Sequence, residues 1–534
     1  MTKCFFKPEQ VPHIGGLPKT LRMIFLMFFP LLLVFASPLR ANNVSVENVS
    51  LAEQDSSSDT IQVEFDISWD NAWSDSVNHD SVWVFVKYCT SSCTGSATWN
   101  HATLETAGTN PSGISHGTKQ SGSVFSTNEI VVPSDKKGAF IDPGHLYNGT
   151  GTFDFHDVQL VWDYGNDGIS DAVASNGTLQ VKVFAIEMVY IPEGGFIAGD
   201  TASTSTTGFE SGTGSSNVLP AVNSEGGISF RSSSASDEFW YYNTDNNAND
   251  AASGASFDVS EAWPKGYQAF YLMKHEVSQG LYTAFLNVLT STQDTNRYPS
   301  QSLNRHTIAG SAGGRTSTRP ARACNFLKWM DLAAFADWAA LRPMTELEFE
   351  KAARGPLSPV SAEYAWGTTS KTDCAAISGT EDGTETCSTT SSNATFGNAT
   401  FTGGDLGSGP TRVGIYSTAS STTRVLSGSG YYGNLDLTGN VSEMIVHLGN
   451  ATGRGFSGSH GDGELNTNGY ATNPDWPGYV SGSGVTGAAG SGERGGSWAD
   501  TTTTRGTISD RYDAADEVST AVNDRGGRAA RTAP

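Results

Sequence analysis

Oxygen-rich loops are the first places where this sequence could do chemistry. DYGNDGISD (Asp163 to Asp171) sets Asp163, Asp167, Gly168 and Asp171 at the first, fifth, sixth and ninth positions of an EF-hand-like calcium loop. Gly165 stands at the third position and Ala174 at the twelfth, so the bidentate acid is missing and a polar hairpin turn is the simpler expectation. HGDGELNTNG (His460 to Gly469) alternates Asp462, Glu464 and Asn466, and reads as a solvated turn before it reads as a cation loop. Among the six cysteines, Cys89 and Cys93 sit in KYCTSSCTG, and Cys374 and Cys387 bracket a Gly/Thr-rich loop. Each pair is placed to close a small disulfide loop. Cys324, in RACNFLKW, has no neighbouring His or cationic helix end to make a thiolate, and reads as a small buried hydrophobe. Zinc is not expected, because no CxxC or HxxxH spacing occurs. His275 reads as a structural residue, and no GxSxG, P-loop or dinucleotide fingerprint is present. With 55 acids, pairs of carboxylates arise by chance, so they do not argue for a glycosidase.

The elements that must position these residues follow two grammars. From Asn42 to about Ile186 the period is two. In TIQVEFDISW, Ile61, Val63, Phe65, Ile67 and Trp69 face one way, and similar runs follow at SVWVFVKY, VQLVWDY and LQVKVFAI. This predicts a β-sandwich over 42–186. After Met188 helical spacing appears: EVSQGLYTAFLNVLT behind Ser278 as N-cap, MDLAAFADWAA, and TELEFEKAARG with a Thr345/Glu348 capping box and Gly355 as C-cap. Beyond residue 356 the chain is mostly Gly, Ser, Thr and Asn with short apolar runs. The fold class expected is α+β.

Residues 1–41 read as a signal peptide. Met23 to Ala36 is an apolar run preceded by Lys19 and Arg22, interrupted by Pro30 and followed by small residues. No later segment is long and apolar enough to span a membrane. The expected location is therefore secreted, periplasmic or cell-surface, where disulfides persist. A net charge of -23 argues against nucleic acid or an anionic membrane as partner and favours divalent cations.

Seven short motifs in order carry a family resemblance: MVYIPEGGFIAGD (Met188 to Asp200), FYLMKHEVSQGLYTAFL (Phe270 to Leu286), LRPMTELEFEKAARG (Leu341 to Gly355), YAWG (Tyr364 to Gly367), LDLTGNVSE (Leu435 to Glu443), RGGSW (Arg494 to Trp498) and GGRAAR (Gly526 to Arg531). Together they resemble the formylglycine-generating enzymes, or sulfatase-modifying factors. The resemblance implies one domain over 187–534, with a C-type lectin-like fold of little regular secondary structure and long loops. That family's oxidase binds copper through two cysteines five residues apart, just after the Gly-Gly-Ser-aromatic motif. Here those positions are Asp500 and Arg505, which cannot serve as soft ligands for Cu(I), so no copper is expected. Gly527 stands where relatives usually have Phe.

Structural Ca²⁺ is the cofactor that the resemblance implies. One set of ligands is Asp436, Gly439, Val441 and Glu443, and a second is Asn398, Ala399, Asp405 and Gly407. The expected activity is that of a secreted or surface-displayed, calcium-stabilised binding protein rather than an enzyme. Trp498, Asp500, Arg505 and Tyr512 would meet an extracellular protein, peptide or glycan. The alternatives are an active formylglycine-generating oxidase or other modifying enzyme, and a variable ligand-binding protein of the diversity-generating-retroelement type.

Overall fold

Strand Thr60–Ser74 keeps the alternation of its sequence, with Ile61, Val63, Phe65, Ile67 and Trp69 each at most 4% exposed. The computed structural model describes residues 43–144, 149–200, 208–211, 218–231, 239–243 and 249–534; the signal peptide expected at 1–41 lies outside them. Thr60–Ser74 pairs antiparallel with Ser45–Asp55 on one side and Gly149–Asp163 on the other, and Thr118–Lys119 completes a four-stranded sheet. Asp66, on the polar face, is nevertheless buried. It accepts hydrogen bonds from Asn48 Nδ2 (2.6 Å) and the Asp157 amide (3.0 Å), where the ladder skips a residue between Phe65 and Ile67. The apolar face packs on a second sheet through Phe65, Trp69, Val82, Val84, Ile141 and Phe153.

That second sheet does not end with the N-terminal region. Strand Gln180–Ile191 pairs with Asp80–Cys89 from Gln180 to Val189, and through Met188–Ile191 with Phe270–Met273. Ala529–Thr532 and Arg342–Pro343 extend the same antiparallel sheet beyond it. The boundary expected between residues 186 and 187 therefore falls inside one strand, and the described residues fall within one compact unit. The physical reason lies in LQVKVFAIEMVYI, an apolar run with no turn residue to end it. Its one acid, Glu187, stays buried because Lys274 Nζ stands 3.2 Å away, between Glu187 and Asp80. Two further contacts fasten the regions together: the Trp83 indole donates to Ala339 O (2.8 Å), and Lys87 donates to Gly463 O.

The helix signals are realised where the sequence places them. Ser278 caps Gln279–Leu286 through the Leu281 amide, and Glu346–Arg354 carries the Thr345/Glu348 capping box and ends at Gly355, φ 65°. Trp329–Trp338 presents Leu332, Phe335 and Ala336 to the core. After Arg354, the described residues form mostly two-residue strands and loops. Both disulfides are formed, Cys89–Cys93 and Cys374–Cys387, and Cys324 is a buried free thiol.

One buried acid at the seam gives a pH prediction. Asp142 accepts from the Gly144 amide (2.8 Å), and its other oxygen stands 3.6 Å from His79 Nε2. Burial pushes its carboxyl up to about 8 from an ordinary 3.8. A folded value above the unfolded one means stability that is full below about pH 4 and is lost as pH rises through 8. Asp142→Asn is expected to reduce that slope and to be more stable than wild type at pH 8. Urea titrations at pH 4, 6 and 8 measure it; an unchanged slope would contradict the assignment.

Candidate functional site

The segment where the family's redox cysteines would stand is a loop anchored at both ends. It leaves strand Ser491–Arg494, which pairs antiparallel with Ser442–Val446, and returns at Arg525–Gly526, which pairs parallel with that same strand. Buried charge fixes it from below. Glu346 receives Arg511 Nε (2.8 Å) and the Leu448 amide (2.9 Å), with Arg494 Nη1 at 3.5 Å and His447 Nδ1 at 3.4 Å. Arg494 Nη2 also donates to Glu350 (2.7 Å). The Glu346 carboxyl is held far below its ordinary range: burial pushes it up, and Arg511 and His447 outweigh that.

Within the loop, the expected ligand residues have diverse roles. Trp498 is only 2% exposed and its indole donates to Asn523 O (3.1 Å), so it is a packing residue and not a stacking platform for a ligand. An aromatic next to two glycines reads as available in sequence; here Gly495 and Gly496 let the backbone turn inward at φ 85° and 63°. Asp500 Oδ2 accepts from the Ser497 amide (2.8 Å) and hydroxyl (3.0 Å). Arg505 lies 3.4 Å over the Tyr512 ring and pairs with Asp513. Asp500, Arg505 and Tyr512 are all partly exposed.

The acids around them were not singled out from sequence, although DRYDAADE carries the signal. Burial pushes Asp510 up to about 6, and Glu493, buried beside Arg525 (2.6 Å), is raised with Asp513 and Asp524 adding to the effect. The loop thus carries several acids beside Asp500 and Arg505, of which Asp510 and Glu493 are buried.

The carboxylates expected to bind calcium are engaged by partners within the protein. Both Glu443 oxygens accept from Arg528, at 2.8 and 2.5 Å, and Asp436 Oδ2 accepts from the Gly414 amide (2.5 Å). A dication there would face the Arg528 guanidinium. In the second set, Asn398 lies before a hairpin that pairs Thr400 with Ser408 and Phe401 with Gly407, and Asp405 lies at its tip. The two are on the order of 10 Å apart along the strand. Asp405 is held by Arg319 (2.5 and 2.6 Å) and Arg322 (3.0 Å), and the Arg319 hydrogen bonds chiefly bring its carboxyl down to about 2. Among the described residues, no group of three or more His, Cys, Asp or Glu is arranged to hold a metal.

The other acidic turns are likewise satisfied within the protein: Asp167 accepts from the Thr103 amide and the Trp162 indole, and Glu464 from the His101 amide. A site saturated a hundredfold would add about 2.7 kcal/mol. Thermal unfolding in 5 mM CaCl₂ and in 5 mM EGTA is therefore expected to give the same Tm, and a shift of several degrees would show a calcium site.

The strand-anchored loop, the capped 346–354 helix and the Arg528-bound 436–443 turn all lie within one stretch that matches a known family. A family model described as "Sulfatase-modifying factor enzyme 1-like domain" matches residues 250–533, and the chain belongs to that family. Comparison with the curated proteins gives no match.

Proposed function

We propose that this chain is an extracytoplasmic binding protein built on a C-type lectin-like, sulfatase-modifying-factor domain, and that it does not carry out the family's copper oxidation. The observation that carries this is the pair Asp500 and Arg505 at the thiolate positions, each engaged with its own neighbours. No other described cysteine can substitute: four are in disulfides, and burial pushes the Cys324 thiol well above its ordinary value. The disulfides support a location outside the cytoplasm. Among the described residues, no helix is long and apolar enough to cross a membrane.

The binding face is the C-terminal loop, where Asp500, the Arg505–Tyr512 pair and the surrounding carboxylates suit basic groups on a protein, peptide or glycan. Calcium is not needed to order that face, since arginines hold the carboxylates that would bind it. Titration with Cu(I), desalting and metal analysis is expected to leave less than about 0.1 equivalent of copper, because the described residues hold no pair of free thiols to retain it. One tightly held equivalent would overturn the reading.

A further inference from the structure

A cavity of about 310 Å³ opens where the 71–78 hairpin meets the loop around 417–435. It lies apart from the C-terminal face and draws its walls from segments far apart in sequence, 71–78 and 417–435. Trp73 and Tyr431, both partly exposed, line it together with the Arg424 guanidinium and the hydroxyls of Ser417, Ser421 and Ser429. The walls are fastened to each other. Asn78 Nδ2 donates to Tyr432 O (2.6 Å), and Gly433, at φ 102°, lies so close to Trp73 that a Cβ would stand 2.9 Å from the indole.

Two cations, Lys274 and Arg424, and one carboxylate, Asp75, line this cleft. Arg424 Nη2 donates to Ala353 O (3.2 Å) and Ala365 O (2.9 Å), both neutral carbonyls. The acid that acts on it most, Glu363, is already held by Arg354 (2.5 Å). Lys274 is neutralised by Asp80 and Glu187, while Asp75 accepts from the Val77 (2.7 Å) and Asn78 (3.0 Å) amides. So one guanidinium faces aromatic surface and small hydroxyls, without a carboxylate in salt-bridge contact among the described residues.

We propose that this cleft binds an acidic saccharide. The C–H face of a pyranose packs on Trp73 and Tyr431, its hydroxyls bond to the serines, and its carboxylate or sulfate pairs with Arg424. A purely apolar ligand would leave the guanidinium without a counter-charge, and a bare anion would leave the rings unused.

Isothermal titration with an oligogalacturonate and a heparin-derived tetrasaccharide tests this and separates carboxylate from sulfate recognition. Cello-oligosaccharide and inorganic sulfate are the comparison ligands. At least one acidic oligosaccharide is expected to bind. Trp73→Ala and Arg424→Gln should each weaken it at least about tenfold, Trp73→Phe should retain most of the affinity, and Val480→Ser, on a distant exposed residue, should change nothing. Thermal unfolding checks that Arg424→Gln is folded; if it is not, Trp73→Ala decides alone. The proposal fails if neither acidic oligosaccharide binds, if the neutral sugar binds equally well, or if sulfate alone binds as tightly and Trp73→Ala has no effect.

Discussion

Glu346→Ala is expected to lower the unfolding free energy by about 3–5 kcal/mol, the range for breaking a buried ion pair from one side. Glu346 is fully buried and meets two arginines and a histidine from three separate stretches of chain. Removing it takes away the one carboxylate in salt-bridge contact with Arg511 among the described residues. What remains are hydrogen bonds to the Tyr241 hydroxyl (3.1 Å) and the Tyr242 carbonyl (3.5 Å), the Phe209 ring (4.4 Å) and the more distant Asp250. Arg494 keeps Glu350 and falls less far. Since Arg494 and Arg511 bracket the 495–510 loop, amide hydrogen exchange there should rise along with the loss of stability. Guanidinium titration measures the first effect, and a loss below about 1 kcal/mol, the size of an exposed pair, would show that the hub is not what holds the loop.

Arg528→Met should cost a similar amount, again about 3–5 kcal/mol. Arg528 is fully buried, binds both Glu443 oxygens, and donates to the carbonyls of Met273, Lys274 and Leu435. After burial as the main cause, Asp436 raises the carboxyl pKa values of both Glu276 and Glu443, and Glu443 adds to that of Glu276. Without the guanidinium these acids must take up protons to stay buried. Their folded pKa values then lie further above the unfolded ones, so the defect is largest near pH 8 and shrinks toward pH 5. Glu443→Gln combined with Arg528→Met should lose less than Arg528→Met alone, because it removes the stranded charge. Equal losses at pH 5 and pH 8 would refute the electrostatic account.

Local signals were legible: the caps at Ser278 and Thr345, the alternation of Ile61 to Trp69, both disulfides and the order of the family motifs. Nonlocal pairing was not. Nothing in LQVKVFAIEMVYI tells which of its halves pairs with Asp80–Cys89 and which with Phe270–Met273, and the single sheet through both regions depends on that division. The carboxylates of the expected calcium loops read as ligands because Arg319, Arg322 and Arg528 are distant in sequence and adjacent only in the fold. Gly527 shows the same limit in reverse. At the position where the resemblance implies Phe, the methyls of Leu332 fill the space, and a Cβ at Gly527 would lie 2.7 Å from Leu332 Cδ2.

Incubation of the purified chain with copper, oxygen and a sulfatase-type cysteine peptide, followed by mass spectrometry, tests the central claim most directly. With Asp500 and Arg505 where the family resemblance implies the thiolates, the peptide is expected to keep its cysteine. Conversion to formylglycine above a protein-free control would contradict the account.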